Sequence, residues 1–92
     1  TVDAQVYVVD CITLWVNNLL YHHLDIDTYV DKLITSLTGK EIFVTNEVGG
    51  GIIPDNALAR QYIDAIGKIN RVIAQKADTV YLMISGIPLR LK

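Results

Sequence analysis

Residues 5–10, Gln-Val-Tyr-Val-Val-Asp, are mostly apolar without alternation and end in Asp10. An unbroken β-branched and aromatic run predicts a parallel strand buried on both faces. The period then changes. Ile12, Trp15, Val16, Leu19, Leu20 and Leu24 recur at helical spacing, so a helix follows the strand directly. Asn17 and Asn18 fall in its middle, where asparagine has poor propensity; they face solvent or make a polar contact. A second helix carries Tyr29, Val30, Leu33, Ile34 and Leu37 on its apolar face. Asp27 or Thr28 can cap it, Asp31 completes a Thr-x-x-Asp box, and Gly39 suits the position just past its end. Residues 41–45 read as a second strand. The longest helix is capped by Asp55 or Asn56 and carries Leu58, Tyr62, Ile66, Ile69, Ile73 and Ala77 on one face. Gly67 in its middle implies a close helix–sheet contact. Residues 79–85 form a third strand, Gly86 and Pro88 a turn, and residues 89–92 an alternating final strand. The order β-α-α-β-α-β-β predicts an α/β fold: a mainly parallel sheet with right-handed crossovers and a C-terminal antiparallel strand.

Composition narrows the class. The 92 residues suffice for one small domain, and 51% of them are hydrophobic. That share is high for a short chain, most of whose residues lie near the surface. No apolar run approaches the ~20 residues that span a bilayer, and no signal peptide is visible. The expectation is a fragment or an obligate oligomer whose apolar surface meets something else, most simply a homo-oligomer. Net charge is −2 with signs interspersed, which argues against a nucleic-acid partner. Cys11 is the single cysteine, so no intrachain disulfide forms and a reducing cytoplasm is the natural compartment.

Candidate chemistry concentrates at strand ends, where α/β sheets bind ligands. Asp10 ends the first strand. Thr45-Asn46-Glu47 ends the second and runs into Gly49-Gly50-Gly51. If the two strands are parallel neighbours, Asp10 and Glu47 share a rim where hard oxygen ligands suit Mg²⁺ with phosphates. A strand ending Val8-Val9-Asp10 has the shape of a Walker B element. Its usual partner, G-x-x-x-x-G-K-[ST], does not occur in these residues. The three glycines lack the lysine and hydroxyl and read as a turn needing positive φ. His22 and His23 are adjacent, so on a helix they point about 100° apart and do not form an i, i+4 zinc pair.

Four segments carry a family resemblance. They are residues 10–20 (Asp-Cys-Ile-Thr-Leu-Trp-Val-Asn-Asn-Leu-Leu), residues 44–60 (Val-Thr-Asn-Glu-Val-Gly-Gly-Gly-Ile-Ile-Pro-Asp-Asn, then Leu58-Ala59-Arg60), Gly67-Lys68-Ile69-Asn70-Arg71, and residues 85–92 (Ser-Gly-Ile-Pro-Leu-Arg-Leu-Lys). Together they resemble the C-terminal half of the bifunctional adenosylcobinamide kinase / adenosylcobinamide-phosphate guanylyltransferase family of cobalamin biosynthesis. The resemblance implies a partial RecA-like P-loop NTPase fold, with residues 1–92 its C-terminal portion. It implies two reactions: phosphorylation of adenosylcobinamide by a nucleoside triphosphate, ATP or GTP, and transfer of GMP from GTP to the phosphate. The family's P-loop and guanylylated histidine lie N-terminal to the segment matched here, and neither His22 nor His23 corresponds to that histidine. The fragment alone is therefore expected to be inactive. The resemblance implies nucleotide contacts at Asp10, Thr13, Asn46 and Glu47, Mg²⁺ on Asp10, and a corrinoid as the other substrate. The alternative is a non-catalytic interaction half that pairs with a separate nucleotide-binding chain.

Overall fold

A computed structural model describes residues 5–47 and 56–92. The glycine turn, Ile52, Ile53, Pro54 and the candidate cap Asp55 lie outside the described residues. The described chain runs β1 (Tyr7–Asp10), α1 (Ile12–Tyr21), α2 (Ile26–Thr35), β2 (Glu41–Val44), α3 (Ala57–Lys76), β3 (Tyr81–Ile84) and β4 (Ile87–Arg90). β1 and β2 pair in parallel, with Tyr7 opposite Glu41 and Asp10 opposite Val44. β3 and β4 pair antiparallel. The strands thus form two separate two-stranded sheets rather than one mainly parallel sheet.

The core forms where the helical stripes meet. Ile12 and Val16 of α1, Val30 of α2, and Ile66 and Ile69 of α3 are buried together. Val9 and Phe43 pack against this cluster from the strands. Full burial of an aliphatic side chain is worth roughly 1.5–3 kcal/mol, so these few residues dominate the stability. All of that packing lies on one face of the β1–β2 pair. On the other face Val8 is 63% and Ile42 54% exposed, so β1 is covered on one face and not on two.

Local chemistry moves several boundaries. α2 starts after Asp25 rather than after Asp27 or Thr28. Thr28 instead donates its hydroxyl to Asp25 Oδ2 at 2.5 Å. Gly39 does not cap α2, which ends at Thr35 with Ser36 as its cap. Its φ of +86° serves the turn into β2. That turn is held by Glu41, whose carboxylate accepts from the Thr38 N–H at 2.6 Å, the Thr38 hydroxyl at 2.8 Å and the Gly39 N–H at 3.0 Å. The Thr38 amide, first among these donors, holds the Glu41 carboxyl below the usual glutamate range, against an opposing contribution from desolvation. Asn56 caps α3, its Oδ1 accepting from the Leu58 and Ala59 N–H groups at 2.8 and 3.3 Å. Gly67 makes no close helix–sheet contact: a Cβ there would meet only the Arg71 side chain, at 3.5 Å. The β3–β4 turn is Ser85-Gly86, both at positive φ, as a two-residue type I′ hairpin requires. Pro88 therefore lies within β4, opposite Met83, on an exposed strand that tolerates a missing N–H. No helix among the described residues is long and apolar enough to cross a membrane.

Candidate functional site at the carboxyl rim of the parallel pair

The parallel register brings the carboxyl ends of β1 and β2 side by side. Asp10 is exposed at the end of β1. Two residues later, past Cys11, α1 begins, so its N-terminus opens on the same rim. Free N–H groups and the helix dipole favour an anion at such an end.

β2 is held to this rim by two helices. The Asn46 N–H donates to the Thr13 hydroxyl in the first turn of α1, at 3.4 Å. The Thr45 hydroxyl donates to Asn70 Oδ1 of α3 at 2.7 Å, and Asn70 Nδ2 donates to the Asn46 carbonyl at 3.0 Å. Thr13 and Asn46, both expected from the sequence, thus meet directly. Asp10 ends the neighbouring strand. Glu47 is exposed and follows Asn46 beyond the last ladder position.

Asn70 belongs to this cluster, and sequence reasoning missed it. The amphipathic pattern sorts α3 into an apolar stripe and a polar face, and Asn70 sits on the border, directly after the buried Ile69. A lone carboxamide at the edge of an apolar stripe was the available signal. It also falls in the Gly67-Lys68-Ile69-Asn70-Arg71 segment.

Among the described residues, no group of three or more His, Cys, Asp or Glu side chains could hold a metal ion. The rim therefore offers no protein cage. The exposed Asp10 carboxylate, at the strand end and just before the N-terminus of α1, fits a hydrated Mg²⁺, which takes most of its ligands from water and phosphate. His22 and His23 stand at the other end of α1. The His22 ring meets Tyr21 edge-on, with centroids 5.1 Å apart.

The cobinamide kinase / cobinamide phosphate guanyltransferase family profile matches residues 1–91. The bifunctional adenosylcobalamin biosynthesis protein CobU of Salmonella typhimurium is 37% identical over 90% of this chain and 56% of its own length. Its counterpart CobP of Pseudomonas aeruginosa is 36% identical over 91% of the chain and 51% of its own. CobU of Escherichia coli is 32% identical over 96% and 59%. The chain thus spans about half the length of the curated relatives it matches, between 51 and 59%.

Proposed function

The chain belongs to the cobinamide kinase / cobinamide phosphate guanyltransferase family, and from that premise we propose that residues 1–92 form the C-terminal portion of a RecA-like P-loop enzyme that phosphorylates adenosylcobinamide with ATP or GTP and then transfers GMP from GTP to the product. The single observation that carries the reading is the Thr13–Asn46–Asn70–Thr45 network, which ties the end of β2 to two helices beside Asp10. Such bracing suits phosphoryl transfer, where the protein mostly positions groups and neutralises charge.

In this reading Asp10 holds Mg²⁺ directly or through water, and the bound ion supplies charge neutralisation at the phosphates. Thr13, beside the open N-terminus of α1, contacts the nucleotide. Asn46 and Glu47 supply further polar ligands from the end of β2. The 92 residues contain no G-x-x-x-x-G-K-[ST] cradle. In this reading the isolated chain is expected to have neither activity, and residues outside it complete the working site; the enzyme is proposed to work in the cytoplasm. The uncovered face of β1 and β2, with Val8 and Ile42 exposed, supports a homo-oligomer. A monomer in sedimentation would count against that part.

The function is tested by incubating the 92-residue chain with GTP labelled at the α-phosphate, with and without adenosylcobinamide. The expected result is neither labelled protein nor labelled corrinoid. Label on the chain itself would overturn the reading, because a histidine in this half would then accept GMP.

A further inference from the structure

We propose that a cleft between the C-terminal half of α1 and the N-terminal turns of α3 binds a neutral, planar heteroaromatic ring. The cleft has a volume of about 520 Å³, within the range of small-molecule sites. Asn17, Tyr21 and His23 line it from α1 and the turn after it, and Asn56, Leu58 and Tyr62 line it from α3. It begins one turn from the rim, since Asn17 lies four residues beyond Thr13, roughly 6 Å along the axis. Thr13 marks the rim end of α1, and Tyr21 lies eight residues further on, roughly 12 Å along the axis.

Two of the lining residues weaken the local structure they occupy. Asn17 stands in the middle of α1, where asparagine is a poor helix former. His23 closes α1 in a Schellman motif. Its N–H donates to the Leu20 carbonyl at 3.1 Å, and the Leu24 N–H donates to the Leu19 carbonyl at 2.9 Å. That motif needs a left-handed residue, normally glycine, and His23 adopts it with φ of +55°. Both residues are exposed and line the same open cleft. A ligand that uses the carboxamide and the imidazole accounts for both; helix stability accounts for neither.

The lining also limits the ligand's chemistry. No lysine, arginine, aspartate or glutamate lines the cleft among the described residues, so nothing there selects a phosphate or a metal ion. One tyrosine comes from each helix, and leucines complete the walls, which suits a flat apolar body. Asn17 offers both a donor and an acceptor to a heteroaromatic edge. The Asn56 carboxamide is fixed in orientation by its cap to Leu58 and Ala59.

The test is a ¹⁵N NMR titration of the full 92-residue chain with adenine and 7-azaindole. Cyclohexanol serves as a non-planar control and benzoate as a charged one. The two heteroaromatics should saturate with a Kd of about 1 mM, the scale for a ligand of roughly ten heavy atoms. The shifts should centre on the Asn17 side-chain NH₂ and the Leu58 and Tyr62 amides. Asn17→Leu, which favours the helix and should fold, should weaken binding about tenfold. Tyr62→Phe should retain binding and Tyr62→Ala should lose it. Shifts that do not saturate, that centre elsewhere, or that persist unchanged in Asn17→Leu would overturn the proposal. So would equal binding of benzoate or cyclohexanol.

Discussion

Replacing Asn70 with alanine removes both bonds that tie α3 to the end of β2, the acceptor for the Thr45 hydroxyl and the donor to the Asn46 carbonyl. Each hydrogen bond is worth about 0.5–1.5 kcal/mol net. Thr45 and Asn46 are exposed, so water replaces the lost partners and the lower part of that range applies, about 1–1.5 kcal/mol for the pair. Alanine is a better helix former than asparagine by about 0.6 kcal/mol and offsets part of this. The net loss is about 0.5–1 kcal/mol, or a Tm lower by ~2–8 °C for a domain of this size. The local effect is more diagnostic than the global one. With Asn70 gone, the Asn46 carbonyl loses its donor, the long 3.4 Å bond from the Asn46 N–H to Thr13 is left to hold that residue, and the end of β2 frays from the rim. Hydrogen exchange at Asn46 and Glu47 should rise by more than the drop in global stability requires. Asn70→Asp gives a second reading: it still accepts from Thr45 but sets a carboxylate against the Asn46 carbonyl, so it should destabilise at least as much. Unchanged Asn46 exchange in Asn70→Ala would refute the claim that α3 positions this strand end.

Two further outcomes follow from the local geometry. The Glu41 carboxyl titrates below the usual glutamate range because it accepts from the Thr38 amide first, then from the Thr38 hydroxyl and the Gly39 amide. A lowered folded-state value means that its stabilisation is complete above the pH where an unfolded glutamate titrates and is lost as pH falls through the lower folded value. Thermal melts across that acid window should therefore fall more steeply for the native chain than for Glu41→Gln; parallel curves would show that the carboxylate does not hold the turn. His23→Gly relieves a left-handed conformation that costs an L-residue about 1–2 kcal/mol, against up to ~1 kcal/mol of extra backbone entropy lost by glycine. Chemical denaturation should show a gain of about 0.5–1 kcal/mol, and a loss of stability would mean that the imidazole contributes packing of its own.

The helices and the parallel pair were legible because burial at fixed spacing is written into the sequence. Ile66 and Ile69 fall on the predicted stripe and are both fully buried. Turn chemistry was less legible, since Gly39 fits a helix end and a strand entry equally well. Only the Glu41 side chain, three residues from Thr38, decides between them. Uncovered surface was not legible either. Val8 has the character of a buried residue yet is 63% exposed, because nothing among the described residues packs on its side of β1. A sequence pattern records which face is apolar and says nothing of what covers it. Within the rim, Asp10, Thr13, Asn46 and Glu47 could be named from the strand ends and the family resemblance. Asn70 could not, because its role depends on where α3 crosses β2.

The register also separates the two acids that the sequence set on equal terms. Asp10 ends its strand opposite Val44, within the ladder and next to the first turn of α1. Glu47 lies three residues past that level, beyond the end of β2, a span of at most about 10 Å at ~3.3 Å per residue. Strand pairing fixes the place of the first carboxylate and leaves the second to the path of the chain beyond Asn46. That path is anchored as far as Asn46 by Thr13 and Asn70. A ligand held between Asp10 and the helix N-terminus thus uses groups set by regular structure, whereas a contribution from Glu47 is governed by how the strand end is braced. The proposed division of labour follows: Asp10 and Thr13 define the position of the phosphates, and the Asn70 brace determines whether Glu47 can join them.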